Sequence, residues 1–130
     1  MLRACRDLLR PGGRLAFFTI HPAPDLTEAA YRRACRLGPR AVATRRRDHL
    51  EMLATAGFEA IESIDLTPEF RRAAADLLAC EAEHEDALRA AVGDRLFDER
   101  RASVEETLCG IDERLLRRSL FLARRPDRSS

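Results

Sequence analysis

The sequence predicts an α/β fold on three observations. Arg14 to Ile20 is a short, nearly unbroken apolar run that follows Pro11-Gly12-Gly13. Such a run suits a strand buried on both faces of a parallel sheet. Phe58 to Leu66 is a second strand candidate, preceded by a helical pattern that Gly57 closes. Arg118 to Arg124 is a third, and stretches of helical period separate the three.

The elements follow in order. Residues 1–9 read as a helix with Leu2, Cys5, Leu8 and Leu9 on one face. Pro11 ends it, and Gly12 and Gly13 permit a tight turn into the strand. His21-Pro22-Ala23-Pro24 reads as a stiff loop. Asp25 and Glu28 have capping-box spacing for a helix to about Leu37, with Leu26, Ala30, Ala34 and Leu37 inward and Gly38-Pro39 as its stop. A helix from about Arg46 to Ala56 uses Leu50 and Leu53, with Gly57 as a left-handed cap and Phe58 just beyond. Thr67 as N-cap and Pro68 as first helical residue open a long helix towards Val92. Its stripe is Phe70, Ala74, Leu77, Leu78, Leu88 and Val92. Gly93 closes it, and Asp94 caps a further helix to about Cys109. Residues 1–125 are expected to form one domain, and 126–130 a frayed tail.

Composition removes several function classes. The chain is 45% apolar and 35% charged over 130 residues, a globular balance. All 23 basic residues are arginine, so a phosphate-loop lysine, a Schiff base and a lysine general base are excluded. With no Trp, six Phe and one Tyr, a base-stacking surface is not expected. A formal charge of +1 argues against nucleic-acid and membrane partners alike. No apolar run reaches the roughly 18 residues of a membrane span. The opening MLRACRDLLR lacks the apolar core and cleavage site of a secretory leader, so a cytoplasmic location is expected. The arginine bias suggests GC-rich coding and a bacterial source. Cys5, Cys35, Cys80 and Cys109 form no CxxC pair and are expected as reduced thiols buried on helix faces. His21, His49 and His84 are scattered, and no metal site is expected.

Two phrases stand at the helix-to-strand junctions. They are Leu9-Arg10-Pro11-Gly12-Gly13-Arg14-Leu15 and Leu53-Ala54-Thr55-Ala56-Gly57-Phe58. Asp65-Leu66-Thr67 follows the second strand, and Leu115 to Arg124 closes the chain. In this order they resemble the C-terminal half of class I S-adenosylmethionine-dependent methyltransferases. In that family the phrases Leu-x-Pro-Gly-Gly-x-Leu and Leu-x-x-Ala-Gly-Phe lead into the fifth and sixth strands. The resemblance implies part of a doubly wound, Rossmann-like sheet: three strands with flanking helices, in the order 5-7-6. The last strand would lie antiparallel between the other two. It also implies methyl transfer from S-adenosylmethionine to a small-molecule acceptor.

The family holds its cofactor in the N-terminal half, on a glycine-rich loop and a strand-end acid. Glycines 12, 13, 38, 57, 93 and 110 form no GxG, so no cofactor-binding residue is expected here. The chain alone is expected neither to bind S-adenosylmethionine nor to be active, because methyl transfer depends on holding cofactor and acceptor in line. It reads as a fragment. The alternatives are the acceptor-binding half of a split methyltransferase, with a separate cofactor-binding chain, and a non-catalytic α/β binding module. The fifth strand would have a bare edge beside Phe17, Phe18 and Ile20, which predicts marginal stability or self-association.

Ligands of open α/β sheets bind beyond the carboxyl ends of the strands. With the first strand ending at Ile20, Thr19, His21 and Pro22 face that crevice. His21 is the candidate for orienting substrate or accepting a proton, weighed against a loop histidine that caps local backbone. The resemblance adds Tyr31, Phe70 and Arg71 as an acceptor wall, weighed against Tyr31 and Phe70 as plain core. Arg45-Arg46-Arg47 and the acids Glu81, Glu83, Glu85 and Asp86 read as solvated helix faces.

Overall fold

The computed structural model describes residues 1–38 and 48–127. The element order is α1 (Leu2–Leu8), β1 (Arg14–Pro22), α2 (Glu28–Leu37), α3 (His49–Thr55), β2 (Glu59–Asp65), α4 (Thr67–Glu83), α5 (Glu85–Val92), α6 (Asp94–Asp112) and β3 (Leu116–Arg124). The three strands form one sheet in the order β1-β3-β2. β2 and β3 are antiparallel, with Ser63 opposite Phe121 and Asp65 opposite Ser119. β1 is antiparallel to β3 as well. The Gly12 and Arg125 amides donate to Arg125 O and Gly13 O, and the Ala23 amide donates to Leu115 O. The order is the 5-7-6 that the resemblance implies.

The chain divides into two compact units. The first holds α1, α3, β2 and parts of β1 and β3. Its core is Leu53, Ala56, Phe58, Phe121 and Ala123, with Leu2, Leu9, Leu15, Phe17 and Ile61 packed against it. The turn into β1 follows from its sequence. The Gly13 amide donates to Arg10 O across Pro11 and Gly12, and Gly12 has φ +78°. That is a type II turn, with proline and glycine where it demands them. The Arg125 guanidinium donates to Arg6 O, Asp7 O and Leu9 O and so caps the C-terminal end of α1. α3 ends in a Schellman motif: the Phe58 amide donates to Leu53 O, the Gly57 amide to Ala54 O, and Gly57 has φ +93°.

The second unit holds α2, α4, α5 and α6. Ala34, Ile111, Leu115 and Leu116 form its core, lined by Ile20, Leu26, Ala30, Leu37 and Phe70. Buried Phe97 of α6 lies between two guanidinium groups, Arg89 at 4.5 Å and Arg101 at 5.1 Å from the ring centre. Glu85, Asp94 and Asp98 compensate those charges, and the hydrogen bond to Asp98 leads in raising the Arg89 pKa. α6 ends in a second Schellman motif, with Arg114 at φ +61° in the position that usually takes glycine.

Several expectations need correction. β1 is not buried on both faces; Arg14 to Phe18 alternate between exposed and half-buried, as an edge strand of an antiparallel sheet does. Leu8 is 88% exposed although its spacing put it on the buried face of α1. Leu50, Leu77 and Val92 are likewise exposed. The cap of α2 is Thr27, whose hydroxyl accepts from the Ala30 amide, so Asp25 and Glu28 form no capping box. Asp94 makes no cap hydrogen bond and pairs with Arg89 instead. The long helix expected from Pro68 to Val92 breaks at His84, whose φ of −114° lies outside helical geometry. The four cysteines are free thiols on helices, but Cys80 and Cys109 are exposed and the other two half-buried. Pro39, the start of α3 at Arg46, the Arg45-Arg46-Arg47 run and tail residues 128–130 lie outside the described residues.

Candidate functional site

The four residues singled out by sequence all belong to the second unit. His21 lies within β1, which runs on to Pro22, so it is a strand residue near the carboxyl end and not a loop residue. Its Nδ1 sits 2.9 Å from Pro22 O. A carbonyl only accepts, so Nδ1 carries the hydrogen, and in the neutral ring Nε2 is the basic nitrogen. Tyr31 is half-buried one turn into α2, where its amide donates to Thr27 O. Phe70, in the first turn of α4, packs on the second core. Arg71 beside it is exposed and grips Asp112 of α6 with two nitrogens, at 2.6 and 3.3 Å. These hydrogen bonds raise the arginine pKa and hold the Asp112 carboxyl below its usual range.

The structure brings these residues' elements together through one core. Ile20, Ala30 and Phe70 all pack against the Ala34, Ile111, Leu115 and Leu116 cluster. The chain neighbours His21, Tyr31 and Arg71 therefore sit on three elements that meet there. The Arg71 fork is turned onto Asp112, so an acidic ligand would compete with that carboxylate.

Other residues at this end of the sheet went unnoticed in the sequence. The Arg118 guanidinium lies 4.7 Å from the centre of the Phe70 ring. The Arg118 amide donates to the Thr67 hydroxyl at 3.0 Å, and the Leu66 amide donates to Arg118 O. Thr67 is thus a tie to β3 and not the N-cap of α4, which begins at Thr67 itself. In the first unit, His49 opens α3 with its ring stacked on Phe121 at 5.1 Å and tilted towards Phe17 at 6.3 Å. Glu113 accepts from Arg33 at 2.7 and 3.0 Å and from the Cys109 thiol at 3.0 Å. These bonds, that of Arg33 foremost, hold its carboxyl down to about 2, and the same carboxylate pushes the Cys109 thiol up. Regular spacing along one helix could have flagged Cys109 and Glu113; nothing local flags the others.

Gly12, Gly13 and Gly57, at the turns beside the strands, leave no room for a cofactor against their backbone. A cofactor loop needs open space where a Cβ would stand. At Gly12 that space lies 2.7 Å from Asp127 Oδ1, at Gly13 2.8 Å from Arg10 O, and at Gly57 2.7 Å from Arg6 Nε. The chain's own atoms occupy each approach. Among the described residues no three His, Cys, Asp or Glu side chains are grouped to hold a metal ion, and no helix is long and apolar enough to cross a membrane.

No family model and no curated protein sequence matches the chain. Solved structures do. A phosphoethanolamine N-methyltransferase of Haemonchus contortus, in complex with phosphomonomethylethanolamine and S-adenosylhomocysteine, superposes with a TM-score of 0.75 at 17% identity, over 96% of this chain and 29% of its own. A Galdieria sulphuraria protein described as a sarcosine dimethylglycine methyltransferase superposes with a TM-score of 0.79 at 11% identity, over 98% of this chain and 47% of its own. The [4+2]-cyclase SpnF superposes with a TM-score of 0.60 at 19% identity, over 96% of this chain and 43% of its own. The chain thus spans less than half the length of these neighbours, and over that span it has a class I S-adenosylmethionine-dependent methyltransferase-like fold.

Proposed function

We propose that the chain is the acceptor-side part of an S-adenosylmethionine-dependent methyltransferase that acts on a small molecule, inactive until joined by a polypeptide that binds the cofactor. The observation that carries this reading is the sheet order β1-β3-β2, with its antiparallel central strand, shared over nearly the whole chain with proteins named as methyltransferases. The bound cofactor would supply the methyl group. This chain's residues would place the acceptor, with Tyr31 and Phe70 as an apolar wall. His21, whose Nε2 is the basic nitrogen, would take the proton that an amine or hydroxyl loses on methylation. Arg118 is set over the Phe70 ring, and Arg71 follows Phe70 in α4.

The coding DNA upstream of Met1 and in neighbouring reading frames should carry a glycine-rich strand–loop–helix segment. Co-expressed with that polypeptide, the chain should transfer labelled methyl from S-adenosylmethionine to small amines of the kind named for the neighbours. His21→Ala should lower kcat by about 10²-fold or more if His21 removes the proton. Full kcat in that variant would remove His21 from the reaction, and no transfer to any acceptor would refute the reading. The cyclase among the neighbours favours a second reading, in which the same fold binds and turns over a substrate without methyl transfer. Substrate consumption without label transfer would select it. Were ligand binding the only activity found, the chain would be a non-catalytic α/β binding module.

A further inference from the structure

Arg118 is held to the start of α4 at three points. Its amide donates to the Thr67 hydroxyl at 3.0 Å, and its carbonyl accepts from the Leu66 amide at 2.8 Å. Its guanidinium lies 4.7 Å from the centre of the Phe70 ring. The turn that carries this ring is closed on Leu66 as well, because the Phe70 amide donates to Leu66 O at 2.9 Å. Backbone and ring together fix where the cation stands before any ligand arrives. Arg118 and Phe70 are both half-buried, so charge here is screened less than at the exposed pair of Arg71 and Asp112.

We propose that the acceptor carries an acid group, carboxylate or phosphate, and that Arg118 takes that group beside the Phe70 ring. The proposal rests on the reading of Phe70 as part of the acceptor wall. The contact with the ring decides the sign of the ligand. A bare aromatic face attracts cations and would suit an ammonium or quaternary amine. At Phe70 a guanidinium already stands over the ring, so a cationic group brought to that face meets like charge. An acid group meets the opposite charge, and N–H donors set in a fork that matches two oxygens. Arg118 is engaged elsewhere in the chain too, so the acid group competes for its donors and needs no vacant cation. Thr67 is a positioning residue here, acting on the ligand only through Arg118.

Nuclear magnetic resonance of the whole chain tests the site without a transfer step. At constant ionic strength, sodium acetate or sodium phosphate should shift the Phe70 ring signals saturably, and tetramethylammonium chloride should leave them in place. This comparison needs no variant to fold, and the anion that saturates at the lower concentration identifies the acid. Arg118→Lys should keep the response at weaker affinity, and Arg118→Gln should abolish it. With the cofactor-binding part present, an amine that bears the acid group should have a KM about tenfold or more below that of its counterpart without it, the worth of a charged hydrogen bond. Thr67→Val should raise the KM of the acid-bearing amine alone. Ring signals unmoved by both anions, moved equally by tetramethylammonium, or still moved in Arg118→Gln would overturn the proposal. Equal KM for the two amines would also overturn it and would leave the methyl-transfer reading standing. No transfer to any amine, with the anion response intact, would refute that reading and leave the anion site at Arg118.

Discussion

Replacing Gly57 by alanine separates two contributions that meet at one atom. Gly57 closes α3 with φ +93°, where an L-residue is strained. The backbone cost of holding such a residue left-handed is about 1–2 kcal/mol. The added Cβ would also stand 2.7 Å from Arg6 Nε and 3.2 Å from its Cδ. Arg6 Nε is buried with no hydrogen-bond partner among the described residues, and the side chain around it is only 25% exposed. Because arginine is flexible, it can swing out, so the steric part should be smaller than the backbone part. Gly57→Ala should therefore lower stability by about 1–2 kcal/mol, or roughly 3–5 °C in Tm per kcal/mol for a chain of this size. Urea unfolding of Gly57→Ala, Arg6→Ala and the double variant apportions the effect. The backbone part persists in the Arg6→Ala background, and only the excess vanishes. Gly57→Val, β-branched at positive φ, should cost more than Gly57→Ala. A Gly57→Ala midpoint equal to that of the unmodified chain would refute the left-handed cap; a cost that disappears wholly with Arg6→Ala would assign it to the clash.

Three further outcomes are expected. Arg114→Gly should raise stability by about 1 kcal/mol, since Arg114 holds φ +61° where glycine is unstrained; a loss of stability in urea would show that its side chain contributes more than its backbone costs. Glu113 is held down to about 2, so its contribution is complete above the ordinary glutamate range near 4.3 and is lost as pH falls through about 2. Glu113→Gln should accordingly flatten the fall of the urea midpoint between about pH 5 and 2, and an unchanged slope would contradict the Arg33 pairing. Thr67→Val deletes the acceptor of the Arg118 amide and should cost about 1–3 kcal/mol with little change in shape; a neutral substitution would show that the hydroxyl does not tie α4 to β3.

The parts of the fold that were legible are written in local chemistry. Arg10 to Gly13 spells a type II turn, and Ala56-Gly57-Phe58 spells a helix stop with an apolar residue beyond it. The break at His84 was not legible, because no glycine or proline marks it. Arg114 hid the second Schellman motif because its backbone conformation is one that its residue type disfavours. Thr67 has every feature of a cap, but its hydroxyl is taken by an amide 51 residues away. The candidate site divides in the same manner. The position of His21 near a strand end was readable from the apolar run before it. The grip of Arg71 on Asp112 spans 41 residues and depends on how α4 packs against α6, which no spacing in the chain records.

The central proposal is that this chain carries the acceptor side of a methyltransferase-like sheet and that the cofactor is held outside these 130 residues. Isothermal titration of the purified chain with S-adenosylmethionine, alone and after addition of the cofactor-binding polypeptide, tests it most directly. Specific pockets enclose roughly 70–90% of a ligand's surface, and a single wall encloses far less. The account predicts no saturable heat at millimolar cofactor for the chain alone, and one site per complex once the second polypeptide is present. Saturable micromolar binding at one site on the isolated chain would contradict it.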